Sequence, residues 1–181
     1  MSKYLLAFVA LASFAASLAG AQDAYTGNYM SSSQAGSRQT QFNIRITKYS
    51  SADEVKQYGA ILKEKGQSGL LDALKQLDNG RINAQGDTGT QIAIAEKWQN
   101  GTQTVITMIS CRRILTRELK SGGISDKYPF SFMQITVDAN GKGHGKMVQA
   151  ASLTYDEKKG GPKLEPYGQG ATRISNVEPI K

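Results

Sequence analysis

Apolar and polar residues alternate along much of the chain with a period of two, the pattern that predicts β-strands. Over residues 39–49, Phe42 and two isoleucines alternate with polar side chains, so one face of this strand is expected to be buried and the other wet. A shorter segment before it, 24–30, is predicted to be an edge strand. The serine-rich stretch 31–37 between the two is predicted to be a polar turn.

The period changes after residue 50, where a capping box predicts the start of a helix. Ser51 is the expected N-cap, and Glu54 is the residue expected to reach back to it. This helix is predicted to end at Gly66, and a second short helix over 68–77 carries leucines at helical spacing. The two helices form a predicted helical hairpin whose apolar faces cover part of a sheet.

The period of two returns after Gly80 and continues to the C-terminus. Asn-Gly pairs at 100–101 and 140–141 are hairpin-turn signals. The predicted strands around and after them cover 92–98, 102–115, 130–137, 146–155, a short segment near Leu164, and 172–177. Neighbouring strands joined by short turns pair antiparallel. The predicted fold class is therefore α+β, mainly an antiparallel sheet of about eight strands with one inserted helical hairpin. The pattern leaves open whether the sheet curls into a barrel.

The first 21 residues have the three parts of a secretory signal peptide. Lys3 supplies the basic start, residues 5–18 the apolar middle, and Ala19-Gly20-Ala21 the small-residue cleavage site. Cleavage after Ala21 leaves one predicted domain over 22–181, in which no run is apolar enough to span a membrane. The expected location is therefore secreted or periplasmic.

The charge and the single cysteine restrict the partners and the chemistry. A formal net charge of +7 attracts the protein to anionic surfaces such as lipid headgroups and envelope polymers. Nucleic acid is not an expected partner, because the predicted compartment lies outside the cytoplasm. Cys111 excludes an intramolecular disulfide and is expected to be a small buried hydrophobe. The alternative is a reactive thiol whose pKa is lowered by Arg112 and Arg113.

The residues predict no catalytic group, metal site or cofactor. The only histidine, His144, lies in a glycine-rich turn where a solvated side chain is typical. One histidine and one cysteine are too few for zinc, and no glutamate closes the calcium-like loop at Asp138. The glycines at 141–145 do not have the spacing of a phosphate-binding loop.

Glu96 is the exception among the scattered carboxylates. It lies between Ile94 and Trp98 on the apolar face of its predicted strand, so burial would require a partner such as Arg112, Arg113 or Arg117. The position of Glu96, together with nearby aromatic residues and the histidine, suggests a ligand site. Its candidate residues are Trp98, Glu96, Arg112, Arg113, Tyr128, Phe130 and His144.

Three stretches resemble a family of small secreted bacterial proteins of unassigned function. They are 47–54, Tyr128-Pro129-Phe130, and 164–168 taken together with 173–177. The resemblance implies secretion and a shared fold over most of the mature chain. It implies no catalytic residue.

These features favour a non-catalytic binding or interaction protein outside the cytoplasm. A small apolar or amphipathic ligand inside a closed sheet is one expected partner, by analogy with other barrels. An anionic envelope component on an open face is another. The alternative is a hydrolase of envelope polymers that uses His144, or Glu96 with a second acid. The residues leave the question of enzymatic activity open.

Overall fold

The computed structural model describes residues 22–33, 36–84, 89–111, 127–168 and 170–180. These ranges hold ten strands and one helix. The elements are β1 (Asp23–Ser33), β2 (Gly36–Ile46), α1 (Ala52–Leu74), β3 (Gly80–Ala84), β4 (Thr90–Gln91), β5 (Ile94–Asn100), β6 (Gln103–Ser110), β7 (Phe130–Val137), β8 (Gly143–Asp156), β9 (Gly161–Pro166) and β10 (Thr172–Pro179). The predicted α+β class with a mainly antiparallel sheet is confirmed. The predicted signal peptide lies outside the described residues.

The strands form one sheet in the order β4-β3-β2-β1-β10-β8-β7-β6-β5, with β9 paired to β8. Most neighbours are also neighbours in the sequence, as short hairpins require. The C-terminal strand β10 is different, because it pairs antiparallel with both β1 and β8 and so joins the two halves of the sheet. The predicted edge position of segment 24–30 is therefore wrong, since β1 is held between β2 and β10.

The sheet is curled, and its two ends approach one another at Ile92 and Ala93. The Asn79 N–H donates to the carbonyl of Ile92 at 2.8 Å, and the Ile92 N–H donates to the carbonyl of Gly80 at 2.8 Å. One residue later, the Ala93 N–H donates to the carbonyl of Ile109 at 2.9 Å. The backbone hydrogen-bonding partner thus changes from the start of β3, at Ile92, to the end of β6, at Ala93.

The inner face of the curled sheet is filled by apolar side chains. The largest of its completely covered members are Phe42, Ile44, Ile46, Ile92, Ile106, Met108, Met133, Ile135, Met147 and Ile174. Burying a side chain of this size stabilises the folded state by about 1.5–3 kcal/mol. The inner face is therefore the main core of the fold.

The outer face is covered in part by α1, which begins at the predicted capping box. The Glu54 N–H donates to the Ser51 hydroxyl at 3.2 Å, and the Ser51 N–H donates to the Glu54 carboxylate at 2.7 Å. Leu62, Leu70 and Leu74 pack in a second core cluster with Ile94, Phe130 and Leu153 of the sheet. No helix of the described residues is long and apolar enough to cross a membrane.

The predicted helical hairpin is replaced by one helix with an interruption. Gly66, the predicted end of the first helix, leaves helical geometry at φ 66° and ψ −166°, but helical structure resumes directly afterwards. A positive φ is accessible to glycine at little cost. No loop separates the two helical segments, so they form one element and not a hairpin; the break at Gly66 and the packing of the leucines on the sheet are as predicted.

Candidate functional site

Trp98 and His144, two of the predicted ligand residues, lie on the outer face of the sheet. The cross-strand pairs Trp98 with Val105, Val105 with Thr136, and Thr136 with His144 place four residues in one row. Residues directly opposite in antiparallel strands point to the same face. At about 4.8 Å per strand, the row extends about 14 Å from the tryptophan to the histidine.

Glu96 starts a second row on the same face, two residues along β5 from Trp98. Pairs connect Glu96 to Thr107, Thr107 to Gln134, Gln134 to Lys146, and Lys146 to Arg173. Two residues along a strand correspond to about 7 Å, so the rows are adjacent. We call the two rows the outer strip; it consists of Trp98, Val105, Thr136, His144, Glu96, Thr107, Gln134, Lys146 and Arg173.

Glu96 shares a face with Ile94 and Trp98, as the alternation predicts, but this face is not the one that Ile92 occupies. Ile92 belongs to the inner core, but Ile94 belongs to the cluster under α1, although a regular strand would place both on one face. The change of hydrogen-bonding partner at Ala93 interrupts the alternation. Ala95 therefore points inward, and Glu96 and Trp98 point outward with Ile94.

The carboxylate of Glu96 is half-buried, and this burial raises its pKa above the ordinary value of a glutamate. Within the described residues, no hydrogen bond or ion pair reaches this carboxylate. Arg112, Arg113 and Arg117, the partners expected from the sequence, lie outside the described residues. Beside it, Gln134 Nε2 donates to the buried Thr107 hydroxyl at 3.1 Å, which leaves the Gln134 carbonyl oxygen for other partners.

The opposite end of the outer strip is basic. Lys146 and Arg173 are both exposed and lie directly opposite one another on β8 and β10. Like charges in this arrangement are destabilising. Neither residue has a carboxylate at ion-pair distance in the part of the chain that the structure describes. His144 lies next to them and is exposed, so this end of the strip attracts anions.

Phe130 and Tyr128 do not belong to the outer strip. Phe130 is 1% exposed and packs in the cluster under α1, so its role is structural. Tyr128 is half-buried and makes an edge-on contact with Tyr167, with ring centroids 5.1 Å apart. The sequence therefore grouped side chains that the fold separates: Phe130 lies four residues along β7 from Gln134, under α1, and Tyr128 lies before β7 against Tyr167.

A shallow groove of about 360 Å³ lies beside the interruption in α1, between the helix and β8. Gln67 spans it: its Oε1 accepts from the Leu153 N–H at 2.8 Å, and its Nε2 donates to the Lys127 carbonyl at 3.0 Å. Pairing of β8 with β7 ends at Ala151, so the Gln67 amide takes the place of a neighbouring strand. The groove is thus occupied in part by a structural contact.

A cluster of ionisable side chains that no sequence pattern indicates joins Asp23, at the start of β1, to Tyr49 and to Lys97 of β5. Asp23 accepts from the Tyr49 hydroxyl at 2.5 Å and from Lys97 Nζ at 2.9 Å. The ammonium of Lys97 also lies 5.4 Å from the centre of the Tyr49 ring. These partners are 26 and 74 residues from Asp23 in sequence, so no local spacing signals the cluster.

The chemistry of this cluster favours a structural role. Burial, the hydrogen bond to Asp23 and the negative charge of Asp23 all raise the pKa of Tyr49 far above its ordinary value. Burial and the same carboxylate raise the pKa of Tyr25 to about 12. Both phenols therefore keep their protons at neutral pH and are unsuited to act as bases.

Metal and thiol chemistry have no support in the described residues. No group of three histidine, cysteine, aspartate or glutamate side chains there could hold a metal ion. Cys111 is half-buried, and burial raises the pKa of its thiol to about 12. The thiol is thus almost entirely protonated at neutral pH and a weak nucleophile.

Comparisons of the chain with protein-family models, with curated proteins and with solved structures give no match. The resemblance to a family of small secreted bacterial proteins therefore stays a prediction.

Proposed function

We propose that the chain is an extracytoplasmic binding protein that holds an acidic polysaccharide of the cell envelope along the outer strip. Export by the predicted signal peptide, with cleavage after Ala21, is part of this proposal. The observation that carries it is the shared outer face of Trp98, Glu96 and His144, beside Lys146 and Arg173, which have no carboxylate at ion-pair distance among the described residues.

The residue types in the strip suit a sugar polymer. An aromatic ring such as that of Trp98 offers an apolar surface and one polar N–H. Thr136 and Gln134 add hydrogen-bonding groups in the middle of the strip, and strand faces are used for oligosaccharide binding in other β-folds. The basic end then supplies charge for the carboxylates of the polymer. The filled inner face favours this outer ligand over a small molecule held inside the sheet.

The test uses polygalacturonate as an acidic polysaccharide and dextran as a neutral one, with affinity measured by calorimetry on the mature protein. Trp98→Ala and Lys146→Gln/Arg173→Gln are each expected to weaken polygalacturonate binding at least about fivefold, since tryptophan and arginine are prominent among the contacts whose loss costs more than about 1 kcal/mol. Lys158→Gln/Lys159→Gln removes the same charge from an exposed turn and is the matched control. Equal affinity in the strip variants and the control would reject the outer strip as the site.

Export is tested separately, by the mass of the protein recovered from outside the cytoplasm. The expected N-terminal residue is Gln22. Recovery of the chain only from the cytoplasm, with residues 1–21 attached, would contradict the proposed location without affecting the binding measurement.

One observation favours the alternative of a hydrolase: the raised pKa of Glu96 is the property that a general acid needs. A glycosidase also needs a second carboxylate near the first. In the described part of the chain, the two rows of the outer strip contain no other carboxylate. Size-exclusion chromatography of the polygalacturonate after incubation separates the two functions. If the wild type shortens the polygalacturonate and Glu96→Gln does not, the function is hydrolysis and not binding alone.

A further inference from the structure

A second basic pair lies on the outer face at the other half of the sheet, outside the outer strip. Arg45 of β2 and Arg81 of β3 are directly opposite one another, and both are exposed. Two residues along the same strands, Asn43 is directly opposite Asn83. The four side chains share the outer face and form a two-by-two group, which we call the arginine patch.

The charges of the arginine patch are incompletely neutralised. Asp78 lies 3.9 Å from Arg81, and both side chains are more than half exposed, so this ion pair is weak. Arg45 has no carboxylate at ion-pair distance among the described residues. Among the described residues, the two guanidinium groups thus have one carboxylate at ion-pair distance, that of Asp78. Like charges directly opposite one another in a sheet are destabilising.

The hydrogen-bonding groups of the patch are mainly donors. Each guanidinium presents five N–H donors in a planar fork, and each asparagine adds an amide with two more. A single fork engages both oxygens of a carboxylate in one plane. A phosphoryl unit inside a linear polymer has two non-bridging oxygens and an end group has three, and their tetrahedral arrangement lets two forks approach at once. The paired forks with amides beside them thus fit a phosphoryl group better than a carboxylate.

The patch is flat and exposed, so it contacts a bound group from one side only. A single free phosphate would gain little from two solvated arginines, whereas a polymer brings many phosphoryl groups to the same surface. Only β1 lies between β2 of the patch and β10, which carries Arg173 of the outer strip, and the two sites share no residue.

We propose that the arginine patch binds a phosphoryl group carried by a linear polyanion. This site does not depend on the polysaccharide function of the outer strip. The Asp78 carboxylate limits the patch to ligands with high charge, because it opposes a singly charged anion.

The experiment measures binding of linear polyphosphate to the mature protein at fixed ionic strength. Arg45→Gln/Arg81→Gln is expected to weaken binding at least about tenfold, which corresponds to about 1.4 kcal/mol. The control Lys158→Gln/Lys159→Gln has the same net charge and is expected to stay within about twofold of the wild type, because unpaired surface lysines contribute little individually. Equal losses in both variants would show non-specific charge attraction and overturn the proposal.

Two further arms identify the chemistry and the site. Polyacrylate is a carboxylate polyanion, and the arginine variant and the control are expected to bind it with equal affinity. Tighter binding of polyacrylate than of polyphosphate by the wild type would overturn the phosphoryl assignment. Trp98→Ala is expected to leave polyphosphate binding unchanged, so failure of the outer strip and failure of the patch give different results.

A charge-preserving variant covers the case in which the glutamine variant does not fold. Arg45→Lys/Arg81→Lys keeps both charges but loses the planar forks, so polyphosphate affinity is expected to fall at least about threefold. An affinity equal to that of the wild type would show that the fork geometry is irrelevant and would contradict the proposal.

Discussion

The two faces of the curled sheet are built from the same strands and differ in almost every other respect. On β7, Ile135 is 0% exposed inside the sheet, while the next residue, Thr136, is half-exposed on the outer strip. The inner positions are mainly apolar and buried. Outer positions beyond α1 carry Lys146, Arg173 and Arg45, which have no carboxylate at ion-pair distance among the described residues. Most of the largest completely covered side chains lie on the inner face, so the part of the outer face beyond α1 can carry residues that cost stability.

The largest expected effect tests the inner face. Ile135→Ala removes a completely buried side chain and is expected to lower the free energy of unfolding by about 2–5 kcal/mol. Thr136→Ala, on the same strand but the outer face, is the control and is expected to change it by less than about 0.5 kcal/mol. Urea denaturation measures both. Similar losses at the two positions would contradict the division between the faces.

The next prediction concerns the part of the outer face that α1 covers. Gln67→Ala leaves the Leu153 N–H and the Lys127 carbonyl without the amide that joins them, and we expect a loss of about 1–3 kcal/mol in unfolding free energy. Hydrogen exchange at Leu153 is expected to become faster. Gln57→Ala, at an exposed position of the same helix, should change neither quantity.

A smaller effect on the free energy of unfolding is expected in the cluster of Asp23, Tyr49 and Lys97. Tyr49→Phe removes the hydrogen bond to Asp23 and should cost about 1–2 kcal/mol at neutral pH. Because the folded state raises the pKa of Tyr49 and Tyr25, their stabilisation is complete below the ordinary tyrosine value, about pH 10, and is lost as the pH rises above it.

The wild type is therefore expected to lose more stability above pH 10 than Tyr49→Phe does. Denaturation curves at several alkaline pH values measure the difference. Tyr167→Phe, at an exposed tyrosine, is the control and should follow the wild type. Parallel pH profiles for wild type and Tyr49→Phe would contradict the raised pKa.

The smallest expected effect is a gain in stability and not a loss, and it concerns Glu96 of the outer strip. Burial raises the pKa of Glu96, so its neutral form is favoured in the folded state. The corresponding stabilisation is present below the ordinary glutamate value, about pH 4.3, and is lost as the pH rises through the folded-state pKa. Glu96→Gln is thus expected to be at least as stable as the wild type at pH 7.

Any greater stability of Glu96→Gln relative to the wild type should disappear at acidic pH. Thermal unfolding from pH 3 to pH 7 measures it, with the exposed residue Glu64→Gln as the control. A Glu96→Gln protein that is clearly less stable than the wild type at pH 7 would mean that the ionised carboxylate has a stabilising partner.

Much of the local structure could be predicted from neighbouring residues. The capping box at Ser51 and Glu54, the hairpin turns after Asn100 and Asn140, and the bounds of β7 are all confirmed, since each depends on residues close in sequence. The candidate site could be predicted only in part: Trp98, Glu96 and His144 do share a face, but the sequence could not indicate which one.

The remainder depends on contacts between distant parts of the chain. The order of residues alone determined the antiparallel hairpins, the helix start and the alternation within each strand, because hydrogen bonding and side-chain period act over a few residues. Only the tertiary structure decided that β10 lies between β1 and β8, that Ala93 changes the face of the following residues, and that Asp23 meets Tyr49 and Lys97. Those choices depend on how the whole sheet curls to bury its apolar face, which no short stretch of sequence specifies.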